Sequence, residues 1–87
     1  SGWICFLTVG GSENRAWPIP AGTTAWAAGG AIHTDIQKGF IRAEIISYDD
    51  FIEAGGETLA KRADKQRLEV KDYLMQDYDL TNFRFNK

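Results

Sequence analysis

The run Ile-His-Thr-Asp-Ile-Gln-Lys-Gly-Phe-Ile-Arg-Ala-Glu, from Ile32 to Glu44, constrains the fold most, because its hydrophobic period changes at a single glycine. Upstream, Ala25, Ala28, Ile32 and Ile36 recur at spacings of three, four and four, which makes one small-sided apolar helix face. The helix should end at Lys38, with Gly39 as the residue just past its C-terminus. From Phe40 to Ile46 the period is two: Ile41, Ala43 and Ile45 share one face, and Arg42 and Glu44 the other. A helix therefore feeds directly into a half-buried strand.

The remaining segments arrange themselves around that junction. Trp3–Val9 is apolar at nearly every position and predicts a central strand covered on both faces. Gly10–Asn14 is a turn cluster, and Arg15–Ile19 returns as the second arm of a hairpin, with Pro18 confining it to an edge. Thr24 is the expected N-cap of the helix. Gly29-Gly30 costs about 1 kcal/mol per glycine in a helix interior, so close packing should hold that helix in place. Asp49–Gly56 predicts a short capped helix ended by glycine, with Phe51 and Ile52 plugging the core. Glu57–Lys65 reads as a surface helix or a partly ordered loop. Val70–Gln76 and Leu80–Phe85, joined by a turn at Asp77–Asp79, predict a closing pair of strands, with Thr81, Phe83 and Phe85 on one face. An early hairpin, one main helix and a returning strand fit an α+β, β-grasp (ubiquitin-like) mixed sheet better than a doubly wound one.

Composition narrows the class. The 87 residues support one domain and one core. Three Trp, three Tyr and five Phe supply ample core material. Trp17, Phe40, Phe51, Phe83 and Phe85 are expected inside it. The lone Cys5 has no partner for a disulfide, and no run approaches the roughly 18 apolar residues of a membrane span, so a cytoplasmic protein with no membrane partner is expected. The abrupt start at Ser1-Gly2 suggests a fragment of something longer. A net charge of −2 argues against a binder held on nucleic acid by bulk charge, and no DNA partner is expected.

No catalytic constellation is visible. Gly10-Gly11-Ser12 lacks the lysine and the following helix of a phosphate-binding loop. His33 and Asp35, two apart on a helix, would point about 200° away from each other, and one histidine with one cysteine makes no nitrogen–sulfur metal site. His33 is expected to play a structural part at the helix flank. The candidates for partner or RNA contact are Arg15, Trp26, Lys38, Arg42 and the basic run carrying Lys61, Arg62, Lys65 and Arg67. Cations of this kind would position the domain on phosphates without reading sequence. A solvated helix face is the plainer reading of that run, and Arg84 is a further scattered cation.

The junction motif, followed by Tyr48-Asp49-Asp50-Phe51, Lys71-Asp72-Tyr73, Gln76-Asp77 and Phe83-Arg84-Phe85-Asn86, resembles the C-terminal TGS domain of the Obg-like ATPase family, YchF type. The resemblance also takes in Thr8-Val9-Gly10 and Arg15-Ala16-Trp17, nearly the whole chain. It departs where the family pattern leads to glycine at Val70, at Tyr78 and near Asp64, and to proline at Trp26. It implies a TGS-type β-grasp fold and a parent with a separate nucleotide-binding G domain, which would bind ATP or GTP with magnesium outside this chain. This piece would be non-catalytic and free of cofactor and metal. Its implied partners are the ribosome or RNA, or the parent's G domain in cis.

Overall fold

The computed structural model describes residues 2–9 and 14–86. Five strands form one sheet in the order β2-β1-β5-β3-β4: β1 is Trp3–Thr8, β2 Arg15–Pro20, β3 Phe40–Ile46, β4 Arg67–Glu69 and β5 Leu80–Phe85. β1 and β5 run parallel at the centre, and every other pairing is antiparallel. This is the β-grasp arrangement. The turn expected at Gly10–Asn14 lies largely outside the described residues, but the register from Trp3↔Pro20 to Thr8↔Arg15 makes β1 and β2 a hairpin.

Pro18 sits on the edge strand, and the register explains how. It faces Cys5, whose N–H donates to Asp77 Oδ1 and whose carbonyl accepts from Tyr78 N–H. Both backbone groups of Cys5 therefore point away from β2. The pair is a non-hydrogen-bonded one, and the proline nitrogen faces the free edge, where no ladder bond is lost.

The main helix is two helices. α1 (Ala25–Ile32) stops at His33, whose backbone is extended, and α2 (Thr34–Lys38) starts from it. Thr24 caps α1 as expected, accepting from Ala27 N–H. The two helices fold onto each other at the glycines. A side chain on Gly29 would meet Ile36 Cγ2 at 2.8 Å, and one on Gly30 would meet the Gln37 amide at 2.7 Å. Close packing does hold the glycine pair in place, but much of it is against the next helix. Gly39 ends α2 with a φ of −100°, so left-handed geometry is not its purpose. Any side chain there would overlap the backbone carbonyl of Asn86, whose N–H bonds the Gly39 carbonyl.

The strand after Gly39 departs from simple alternation. The register with β5 moves from Phe40↔Phe85 to Arg42↔Arg84, leaving Ile41 as an extra residue in a bulge. Phe40 is thereby turned inward with Ala43 and Ile45, and Ile41, expected on the inner face, is 40% exposed. The main core joins Phe6, Ile19, Ala25, Ala28, Phe40, Ala43, Ile45, Met75 and Phe83, with Trp17 packed against it. A smaller core on the opposite sheet face joins Ile46, Ala60 and Leu80 with Leu7, Val9 and Phe51, beneath α3 (Tyr48–Ala54) and α4 (Glu57–Arg62). Helices thus cover both sides of β1, but only Phe6 of that strand is fully buried and Trp3 is open to solvent. α3 is capped by Ser47 and ended by Gly55 at a φ of 93°. Phe51 joins the core; Ile52 does not, being 56% exposed.

Val70–Gln76 is not a strand; it makes a single bridge, Leu74 with Thr24. Its carbonyls have another task. Tyr73 and Lys71 accept from Ala25 and Trp26 N–H, satisfying donors at the start of α1 that the helix itself leaves free. The strand beside β3 is instead the three-residue β4.

Candidate partner-binding surfaces

The candidate residues fall into separate groups. Arg15 lies at the start of β2 with its guanidinium 4.2 Å over the Trp17 ring. Trp26, on α1, donates its indole N–H to Gln37 O at 3.0 Å and stays 42% exposed, one residue from Lys38 at the end of α2. Arg42 stands on the outer face of β3, directly across from Arg84 on β5. Arg84 donates to Glu44 Oε2 at 2.7 Å, and Asn82 donates to Glu44 Oε1 at 2.7 Å. The Asn82 amide, then Arg84, with the Lys61 charge adding to them, hold the Glu44 carboxyl below its ordinary value against its partial burial. Arg84 and Lys61 therefore act on one carboxylate, while the Arg42 guanidinium donates to the Ile41 carbonyl at 2.7 Å. Lys61 also pairs with Glu57 at 3.4 Å, and Arg62 and Lys65 are exposed beyond it. Lys38, Arg42, Arg62 and Lys65 form no ion pair with a carboxylate among the described residues.

Arg67 is placed differently. It donates to Glu69 Oε2 at 3.0 Å and to the Tyr73 hydroxyl at 3.1 Å, and the Tyr73 hydroxyl donates to Asp79 Oδ2 at 2.7 Å. Asp79 is 1% exposed and also accepts from Gln76 N–H. Burial pushes its carboxyl above the ordinary value, although the Gln76 N–H and the Tyr73 hydroxyl favour the charge. Burial and the Asp79 carboxylate push Tyr73 up to about 12. This network ties β4 to the turn before β5.

His33 and Asp35 correct the helical argument. Because His33 lies outside both helices, its Nδ1 accepts from Asp35 N–H at 3.0 Å and sits 3.6 Å from the Asp35 carboxylate. The histidine acts as the N-cap of α2, with its ring at the surface. No cluster of three or more His, Cys, Asp or Glu side chains that could hold a metal occurs among the described residues, and no helix among them is long and apolar enough to cross a membrane.

The residue list from the sequence misses one surface. Tyr48 on α3 and Tyr78 in the turn before β5 lie with ring centroids 5.4 Å apart, both about half exposed. Tyr78 holds a φ of 63° and Asp64 one of 61°, the two positive values among described residues other than glycine. The family pattern leads to glycine at Tyr78 and near Asp64. That departure was the signal in the sequence; Val70, the third, has no such φ.

The chain was compared with known proteins. The family YchF-GTPase_C, described as "Protein of unknown function (DUF933)", matches residues 3–86. The "Ribosome-binding ATPase YchF" of Pasteurella multocida (strain Pm70) is 58% identical over 81 residues, covering 93% of this chain and 22% of that protein. "Obg-like ATPase 1" of Rattus norvegicus is 48% identical, covering 93% of this chain and 20% of its own length. The solved "Structure of the Schizosaccharomyces pombe YchF GTPase" superposes with a TM-score of 0.89 at 35% identity, over 95% of this chain and 22% of that one. The chain thus spans about a fifth of the length of the curated relatives it matches. With a family match across nearly all of its residues and the same β-grasp fold in a solved relative, this chain belongs to the YchF-GTPase_C family, the C-terminal TGS-like domain of the YchF and Obg-like ATPases.

Proposed function

We propose that residues 1–87 form a single non-catalytic accessory domain of a larger cytoplasmic ATPase or GTPase, and that its outer sheet face contributes to contact with RNA or the ribosome. The nucleotide and its magnesium would be held by parts of the parent outside this chain. The observation that carries the reading is that Arg42 and Arg84 stand opposite each other on the sheet while Arg42, Arg62 and Lys65 form no ion pair among the described residues, on a chain whose overall charge is −2. Phosphate contact needs such a local surface when bulk charge does not supply it. Relatives at 58% and 56% identity bear the name ribosome-binding ATPase.

The test is ribosome co-sedimentation of the full-length protein carrying Arg42→Glu, Lys61→Glu, Arg62→Glu and Lys65→Glu together, across a salt series. Arg67 is left intact because reversing it would dismantle the Tyr73–Asp79 network. Weaker binding with a flatter salt dependence is expected. Unchanged binding removes this face from the interaction.

A second reading is a docking module that packs on the parent's nucleotide domain and regulates its cycle. Trp26, 42% exposed, and Leu74, 52% exposed beside the α1 N-cap, favour it. Deleting the domain should then change nucleotide turnover without ribosomes present.

A further inference from the structure

His33 stands where the chain leaves α1 and enters α2, with its backbone extended between them. Its N–H donates to the Gly29 carbonyl at 3.1 Å, its carbonyl accepts from Ile36 N–H at 3.1 Å, and its ring Nδ1 accepts from Asp35 N–H at 3.0 Å. The last of these bonds is the N-cap of α2. A position usually held by serine, threonine, aspartate or asparagine is thus filled by an imidazole. For Nδ1 to accept, the ring must be neutral and carry its proton on Nε2. Hydroxyl and amide caps keep their acceptor at any physiological pH, whereas an imidazole loses one when it takes a proton.

α2 depends on its ends. It is five residues long and none of its residues is fully buried. A helix this short is unstable alone. It is held by the cap, by the fit of Ile36 and Gln37 against Gly29 and Gly30, and by the Gln37 carbonyl on the Trp26 indole N–H. The ring also has a second partner within reach, because Nδ1 is 3.6 Å from the Asp35 carboxylate, and both side chains are more than half exposed. Protonation turns Nδ1 from an acceptor into a donor, which breaks its bond to the Asp35 N–H and offers it the Asp35 carboxylate instead. An exposed ion pair is worth little and leaves the helix N–H uncapped. The other surroundings of the ring bring no competing charge. α1 contains no titratable residue, Lys38 is at the far end of α2, Ile36 and Phe85 complete the hollow beside the ring, and Arg84 of β5 is engaged with Glu44.

We propose that His33 is a pH-operated joint between α1 and α2. With a neutral ring it caps α2 and keeps that helix closed on α1. With a proton on Nδ1 it releases the cap, pairs with the Asp35 carboxylate and lets the first turn of α2 open. The opening runs from Asp35 toward the contact of Gln37 with Trp26. This joint is separate from the outer sheet face of the preceding proposal and does not depend on it.

The experiment is an NMR titration of the chain from pH 8 to pH 5, following the His33 ring nitrogens and amide hydrogen exchange, with exchange expressed as protection factors so that its intrinsic pH dependence cancels. The parent is compared with His33→Asn, whose amide caps a helix without titrating, and with Asp35→Asn. At pH 8 the ring is expected to carry its proton on Nε2. On acidification the protection of the Ile36 and Gly39 amides should fall about fivefold, in keeping with the loss of one N-cap, while that of Ala43 in β3 stays constant. His33→Asn should show no such fall, and in Asp35→Asn the fall should set in at lower pH, because the charged ring has lost its partner. A proton on Nδ1 at pH 8, unchanged or rising protection in the parent, a fall like the parent's in His33→Asn, or a transition at the same pH in Asp35→Asn would each overturn the proposal.

Discussion

The indole N–H of Trp26 reaches the carbonyl of Gln37 across 3.0 Å, although a continuous helix would place those residues about 16 Å apart along its axis. The bond exists because the chain turns at His33 and α2 folds back on α1. Trp26→Phe keeps the ring and removes the donor. It should cost about 0.5–1.5 kcal/mol, the worth of one intramolecular hydrogen bond, measured by urea denaturation.

Two glycines should respond oppositely to alanine. At Gly39 the new methyl would overlap the Asn86 backbone, which is held in the strand and has no room to yield. Gly39→Ala is expected to lose about 3 kcal/mol or more. At Gly30 the obstacle is the Gln37 amide, the end of a flexible side chain, and alanine recovers about 1 kcal/mol of helix propensity. Gly30→Ala should therefore stay within about 1 kcal/mol of the parent on thermal unfolding.

Tyr78 offers a test of backbone strain. With a φ of 63°, alanine there loses the ring yet keeps the left-handed penalty of about 1–2 kcal/mol, whereas glycine loses the ring and the penalty together at some cost in chain entropy. Tyr78→Gly should be more stable than Tyr78→Ala by about 1 kcal/mol. Equal stabilities would mean that the turn relaxes to another form.

The buried Asp79 sets an acid-side pH dependence. Its folded carboxyl titrates above the unfolded value of 3.8, so the folded state binds the proton more tightly and stability declines as pH rises through that window. Relative to Asp79→Asn, the parent should gain melting temperature as pH is lowered from 7 to 4. The opposite trend would show that the carboxylate is favoured inside. Tyr73 gives a second limb in the same direction, with stability lost as pH rises from 10.0 toward about 12.

Much of the fold was legible because local signals agreed with the tertiary result. The β1–β2 hairpin, the edge position of Pro18, the Thr24 cap, the glycine stop at Gly55 and the inward face of Thr81 and Phe83 all rest on chemistry within a few residues. β4 was not legible: three residues carry no period, and Arg67–Glu69 became a strand only because β3 offered a free edge. Nor was the Tyr48–Tyr78 pair, whose members are thirty positions apart in sequence and meet only through folding.

By itself, then, the sequence determined the element types, the α+β class and the family, since period, caps and turn residues act locally and the family motifs run in order along the chain. The tertiary structure decided what those elements became. It broke the helix at His33, where the glycines allow α2 to close on α1. It placed the bulge at Ile41, where Phe40 must turn inward against Phe83. It drew Val70–Gln76 away from the sheet to satisfy the N–H groups of α1. Each outcome followed from packing or hydrogen-bond demands set by residues distant in the chain, which no local pattern records.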